Sequence, residues 1–221
     1  MTVLLERDAE LAALDAACVA ALAGHGTLVL LAGEAGIGKT ALVRAFASTA
    51  GAPVHVGSCE PLAVPAPLAP LHDIAATLGP PLCDALARAA DAPAVARTLL
   101  ESLAARGPAV VVLEDVHWAD AATLDVLRVA ARRAERVAAV LLLTYRDDGA
   151  PGEPVRVLAG ELASSASLVR LTPRRLSAAA VLSLAAGGRS RGPSAARGDG
   201  RQPVSRHRVV GRTRAAPAER P

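Results

Sequence analysis

The chain has 221 residues, 52% of them apolar but only 1% aromatic, so one large domain or two small ones must pack on alanine, leucine and valine. Its net charge of +3 is uneven: residues 187–221 carry nine arginines against Asp199 and Glu219, a local +7 that leaves −4 on the remainder. The first eight residues carry charges where a secretory leader needs an apolar core, and no uncharged apolar run approaches the roughly 20 residues of a membrane span. Cys18, Cys59 and Cys83 lack metal-binding spacing and read as reduced thiols, so a soluble, cytoplasmic protein is expected.

In chain order, Leu11, Leu14, Cys18 and Leu22 recur at helical spacing and predict a helix over 5–23. Gly24-His25-Gly26 ends it, and Thr27 to Ala32 is a short apolar run of strand type. Gly33-Glu34-Ala35-Gly36-Ile37-Gly38-Lys39-Thr40 follows and fits G-x-x-x-x-G-K-[ST], the phosphate-binding P-loop. Good helix formers from Ala41 to Ala50 complete a strand, glycine turn and helix N-terminus, which together make an anion site. Lys39 is expected to reach the β- and γ-phosphates of ATP, and the Thr40 hydroxyl to bind Mg²⁺. Lys39 is also the only lysine in the chain. A flexible ammonium is thus used once, where it suits phosphate.

Val54 to Val56 is a candidate second strand, and Pro61, Pro65, Pro67 and Pro70 exclude regular structure to about residue 66. Helices are predicted near 67–78, 82–90 and 93–105. Ala109-Val110-Val111-Val112-Leu113 then reads as a strand buried on both faces of a parallel sheet, ending in Glu114-Asp115. Apolar residues capped by two acids, after a P-loop, form a Walker B pattern. Glu114 is expected on the Mg²⁺ side, through a coordinated water, and Asp115 is expected to polarise the hydrolytic water. Without the P-loop the same residues would read as an ordinary strand with solvated acids.

Asp120 suits the N-cap of a helix over 121–135. Trp118, the only tryptophan, is expected to pack against the sheet edge. His117 is read either as facing the γ-phosphate or as structural. Val137 to Thr144 predicts another strand, leading into Tyr145 and Arg146. Two readings of Arg146 stand: a sensor of the γ-phosphate, or a salt bridge to Asp147 or Asp148. A helix near 155–164, a strand at 167–170 and a helical start to a lid at 176–186 follow. Alternating strands and helices predict a doubly wound α/β fold with five strands and helices on both faces.

GEAGIGKT, LEDVHWAD and LLLTYRDD, in that order, are similar to the N-terminal ATPase domain of large bacterial LuxR-type ATP-binding regulators. These belong to the STAND branch of AAA-like P-loop NTPases. Leu5-Glu6-Arg7-Asp8-Ala9-Glu10-Leu11 resembles their opening V-G-R-x-x-E-L, with Glu6 where glycine is usual. The resemblance covers roughly residues 4–186. It implies a P-loop NTPase with sheet order 5-1-4-3-2, a switch closed by ATP with Mg²⁺ and reset by hydrolysis, and effector-driven self-association. It also implies a C-terminal helix-turn-helix for transcription, which this length cannot hold, so no DNA binding is expected from these residues.

From Gly187 the composition turns to Arg, Gly, Pro, Ala and Ser, and periodicity disappears. A disordered basic tail is one reading. The genetic code supplies another. With third bases freely chosen, codons for Asp199 to Val209 read one base later spell TGGNPFLVTEL, similar to a G-G-N-P-F segment after the lid in that family. The ATPase domain is therefore expected over 1–186 with an incomplete lid, and 187–221 as an out-of-frame tail. A small-molecule P-loop kinase, a nucleic-acid-binding module resting on the tail, and an inactive remnant of a disrupted gene are the alternatives.

Overall fold

A computed structural model describes residues 4–147 apart from 63 and 65, together with 153–162 and 167–189. The strands are β1 (Thr27–Ala32), β2 (Val54–Ser58), β3 (Ala109–Glu114), β4 (Ala139–Tyr145) and β5 (Leu168–Leu171). They form one five-stranded sheet in the order β2-β3-β4-β1-β5, and every pairing is parallel. This is the order 5-1-4-3-2 counted from the other edge. Parallel neighbours need crossovers, and here helices supply them on both faces.

Because side chains alternate along a strand, the sheet feeds two cores. Val29 and Leu31 of β1, Val110 and Val112 of β3, and Val140 and Leu142 of β4 face one side. There they meet α1 (Asp8–Leu22) and α2 (Lys39–Thr49), through Leu14, Cys18, Leu42 and Phe46. Leu28, Leu30, Val111, Leu113, Leu141 and Leu143 face the other core. It is closed by α3 (Ala69–Leu78), α4 (Pro80–Ala87), α5 (Ala92–Arg106), α6 (Ala121–Ala131) and α7 (Glu153–Glu161). With so few aromatics, the largest fully buried side chains are Phe46, Ile74 and leucines, each worth about 1.5–3 kcal/mol when removed from water.

Several expectations shift. On α1 the buried stripe is Leu14, Ala17, Cys18 and Ala21, whereas Leu22 is exposed, one position past the face that meets the sheet. Helix α6 stops at Ala131, and a short 3₁₀ turn at Ala134–Arg136 precedes β4. Gly57 lets the end of β2 meet the start of α3, since a Cβ there would lie 2.1 Å from the Pro70 carbonyl oxygen. The last helix, α8 (Ala178–Arg189), runs past Gly187; the remainder of the basic tail, residues 190–221, lies outside the described residues. Among the described residues, no helix is long and apolar enough to cross a membrane.

Candidate functional site

Helix α2 begins at Lys39, with Gly38 as its N-cap at φ +103°. Gly36 is also left-handed, at φ +76°. Side chains rarely adopt this conformation, so the glycines are what lets the loop curl back onto the helix N-terminus. The first-turn N–H groups and the helix dipole then face one concavity. Thr40 is exposed on that first turn. Lys39 is 8% exposed, and its Nζ donates to the carbonyl oxygens of Gly33 at 2.6 Å and Glu34 at 3.0 Å. The ammonium is folded back across the loop, within the arc where the glycines leave room.

The sheet register brings the acids to the same edge. Leu31 of β1 pairs with Thr144 and Ala32 with Tyr145, while Leu113 of β3 pairs with Leu143 on the other flank of β4. Glu114 thus stands level with Thr144, one strand removed from the stem of the glycine loop. Two strand spacings, about 10 Å, separate β3 from β1. The Thr144 hydroxyl accepts a hydrogen bond from the Asp115 amide at 2.9 Å, which ties the acidic pair to β4. Asp115 itself is left-handed, at φ +55° and ψ +43°, a conformation that costs a non-glycine residue of order 1 kcal/mol or more.

Glu114 Oε1 is buried and has no hydrogen-bond partner among the described residues. An ionised oxygen in that position is costly unless a cation or a bound water satisfies it. A hard divalent cation carrying waters fits that demand. His117 Nδ1 lies 3.8 Å from Asp115 Oδ1, so the histidine faces the acid pair from within the β3–α6 connection. Trp118 is not a core residue. It is 40% exposed, because the 3₁₀ turn Val116–Trp118 buries Val116 and carries the indole outward, its ring 5.1 Å from that of His117.

A cleft of about 430 Å³ opens beside the loop, lined by Gly33, Glu34, Ile37, Asp147 and Thr172 to Arg175. Arg146 does not line it, although the register brings the chain there to the level of Gly33. The cations here are Arg174 and Arg175, which motif spacing did not single out. Arg175 Nη2 pairs with Glu34 Oε2 at 2.5 Å. Of the two partners offered for Arg146, Asp147 forms no ion pair with it among the described residues, and Asp148 lies outside them.

The opening motif contains Arg7, but its spacing assigned that arginine no contact. It is 4% exposed and donates from Nη2 to the Ile37 carbonyl at 3.0 Å. In a trans peptide the C=O and N–H point oppositely, so this bond holds the Gly38 N–H pointing away from Arg7. Neighbouring Glu6 is left-handed at φ +54°, where glycine would be unstrained. Its carboxylate accepts from the Ser177 amide at 2.8 Å and hydroxyl at 2.5 Å, and the Ser177 bonds hold its carboxyl below the usual range.

The sequence profile of the AAA ATPase domain family matches residues 3–143. No curated protein matches the sequence. Among solved structures, a Walker-type ATPase of Pyrococcus abyssi is similar at TM-score 0.57 and 13% identity, over 84% of this chain and 58% of that one. A STAND (signal transduction ATPase with numerous domains) protein with a tetratricopeptide repeat sensor, from Pyrococcus horikoshii, gives TM-score 0.51 and 17% identity, over 86% and 26%. Cdc6p from Pyrobaculum aerophilum gives 0.50 and 19%, over 77% and 46%. The chain therefore spans little more than half, or less, of each of these proteins, and at such identities the likeness concerns the fold.

Proposed function

The chain belongs to the AAA ATPase domain family, and from that premise we propose that residues 1–186 are a Mg²⁺-dependent ATP-binding switch domain that hydrolyses ATP slowly. The observation that carries this reading is the shared edge. A glycine loop on a helix N-terminus, the only lysine, and the Glu114-Asp115 pair lie within two strands of one another. Backbone N–H groups of Gly33 to Thr40 and the Lys39 ammonium bind phosphate oxygens. Thr40 and Glu114 orient the divalent cation, and the unpartnered Glu114 Oε1 supports its share. Asp115 orients and polarises the attacking water, and Arg146 senses the terminal phosphate. ATP with Mg²⁺ supplies the phosphoanhydride bond whose cleavage resets the switch.

The motif resemblance supports a place in a LuxR-type signalling regulator, with effector recognition, self-association and DNA binding in other segments of a longer protein. Release of labelled phosphate from ATP tests the chemistry. Slow release in Mg²⁺, abolished by EDTA and by Asp115→Asn, is expected. Release unchanged in Asp115→Asn would refute the role given to that acid.

A further inference from the structure

A second cavity, of about 240 Å³, opens beyond the carboxyl ends of β2 and β3, on the far side of the acidic pair from the glycine loop. Its walls are of two kinds. Leu62, Ala66, Ala69 and Pro70 are apolar, and Trp118 adds the only indole in the chain. Glu60, Asp73 and Asp120 supply carboxylates, and no arginine, lysine or histidine lines the cavity among the described residues.

None of the three carboxylates has an ion-pair partner among the described residues. Asp120 is held by neutral donors: the Thr123 amide and the Leu68 amide, each at 3.1 Å, and the Thr123 hydroxyl. Asp73 accepts the Ser58 amide at 3.3 Å and no other donor among the described residues. Glu60 and Asp73 are exposed and Asp120 is half-buried, and unbalanced negative charge around the mouth of a recess favours a cation. Its influence is felt by Cys59 in the cavity wall, whose thiol is pushed up to about 12 by burial, then by Asp120, Asp115 and Asp73.

Trp118 makes the cavity more than an acidic patch. An indole is the strongest aromatic partner for a cation, and this one is exposed rather than packed away in a chain with very few aromatics. We propose that this cavity binds a small organic cation, a guanidinium or primary ammonium on a short aliphatic stem. The charged head lies against Trp118 between Asp73 and Glu60, and the stem lies along the apolar wall. The wall adjoins the acidic pair: the Cys59 backbone amide donates to the Glu114 carbonyl at 3.0 Å, and the Trp118 backbone amide to the Asp115 carbonyl at 2.9 Å. The binding itself rests on no assumption about nucleotide.

The test uses butylguanidinium and its neutral isostere butylurea on the full chain, in low salt and without nucleotide. Trp118, as the only tryptophan, reports through its own fluorescence, and calorimetry reports independently. Butylguanidinium should give a saturable emission change and measurable heat, and butylurea neither. Asp73→Asn and Trp118→Leu, both at exposed positions, should each weaken binding by about tenfold in calorimetry. Circular dichroism checks that each variant is folded. A linear, unsaturable quench, equal binding of butylurea, undiminished affinity in both folded variants, or binding of a polyarginine peptide but not of butylguanidinium would each overturn the proposal.

Discussion

Lys39→Met separates the two things Lys39 does. Without nucleotide, the ammonium is buried and donates charge-assisted hydrogen bonds to the Gly33 and Glu34 carbonyls. Removing them loses those bonds but also removes the cost of desolvating a charge, and methionine fills a similar volume. Stability in the absence of ATP should therefore change by less than about 2 kcal/mol. With ATP at a hundred times its dissociation constant, the parent should gain about 2.7 kcal/mol. For a domain of this size that is a rise in melting temperature of roughly 5–11 °C. Losing the ammonium opposite the phosphates should weaken binding by about 3 kcal/mol, more than a hundredfold. At the same ATP concentration the shift in the variant should then fall to about 1 °C or less. Thermal melts of both proteins, with and without Mg²⁺-ATP, measure this directly. A full shift retained by the variant would refute the assignment of Lys39, and a variant unfolded without ATP would refute the argument from desolvation.

Glu114→Gln should lower the Mg²⁺-dependence of ATP binding while leaving metal-free binding unchanged, which titration of a fluorescent ATP analogue in Mg²⁺ and in EDTA can read. Phe46→Ala, at a fully buried site between α2 and the sheet, should cost about 3–5 kcal/mol in urea unfolding. His55 is buried and bonded to Thr77 Oγ1 at 2.8 Å; burial first, and Arg106 second, hold its pKa below 6.5. The unfolded chain then binds the extra proton more readily than the folded one. Its contribution should be intact above pH about 6.5 and decline as pH falls below that, a slope that urea midpoints should show reduced in His55→Gln.

The centre of the sheet was legible because β1, β3 and β4 are apolar on both faces. Val110 to Leu113 and Leu28 to Leu31 leave no solvent-side alternative, and glycine or proline marks several of the turns between elements. The glycine loop was legible because its chemistry is local, confined to eight consecutive residues. What escaped notice depends on tertiary approach. Arg7 belongs to the opening motif, but the Ile37 carbonyl it meets lies thirty positions away, and Arg175 is 141 positions from Glu34. Arg175 reads as an ordinary surface cation until the fold closes. Trp118 was misplaced for a related reason: hydrophobicity argues for burial, but the 3₁₀ turn after Asp115 turns Val116 and the His117 side chain inward and the indole outward. Leu22 fell outside the core because the helix meets the sheet along Leu14, Ala17, Cys18 and Ala21.

Calorimetric titration of the full chain with ATP, in Mg²⁺ and again in EDTA, tests the central claim most directly. One saturable site per chain is expected, markedly weaker when the metal is withdrawn, since Glu114 and Thr40 act on the phosphates through the cation. No binding of ATP by folded protein, or binding of equal strength in EDTA, would contradict the account.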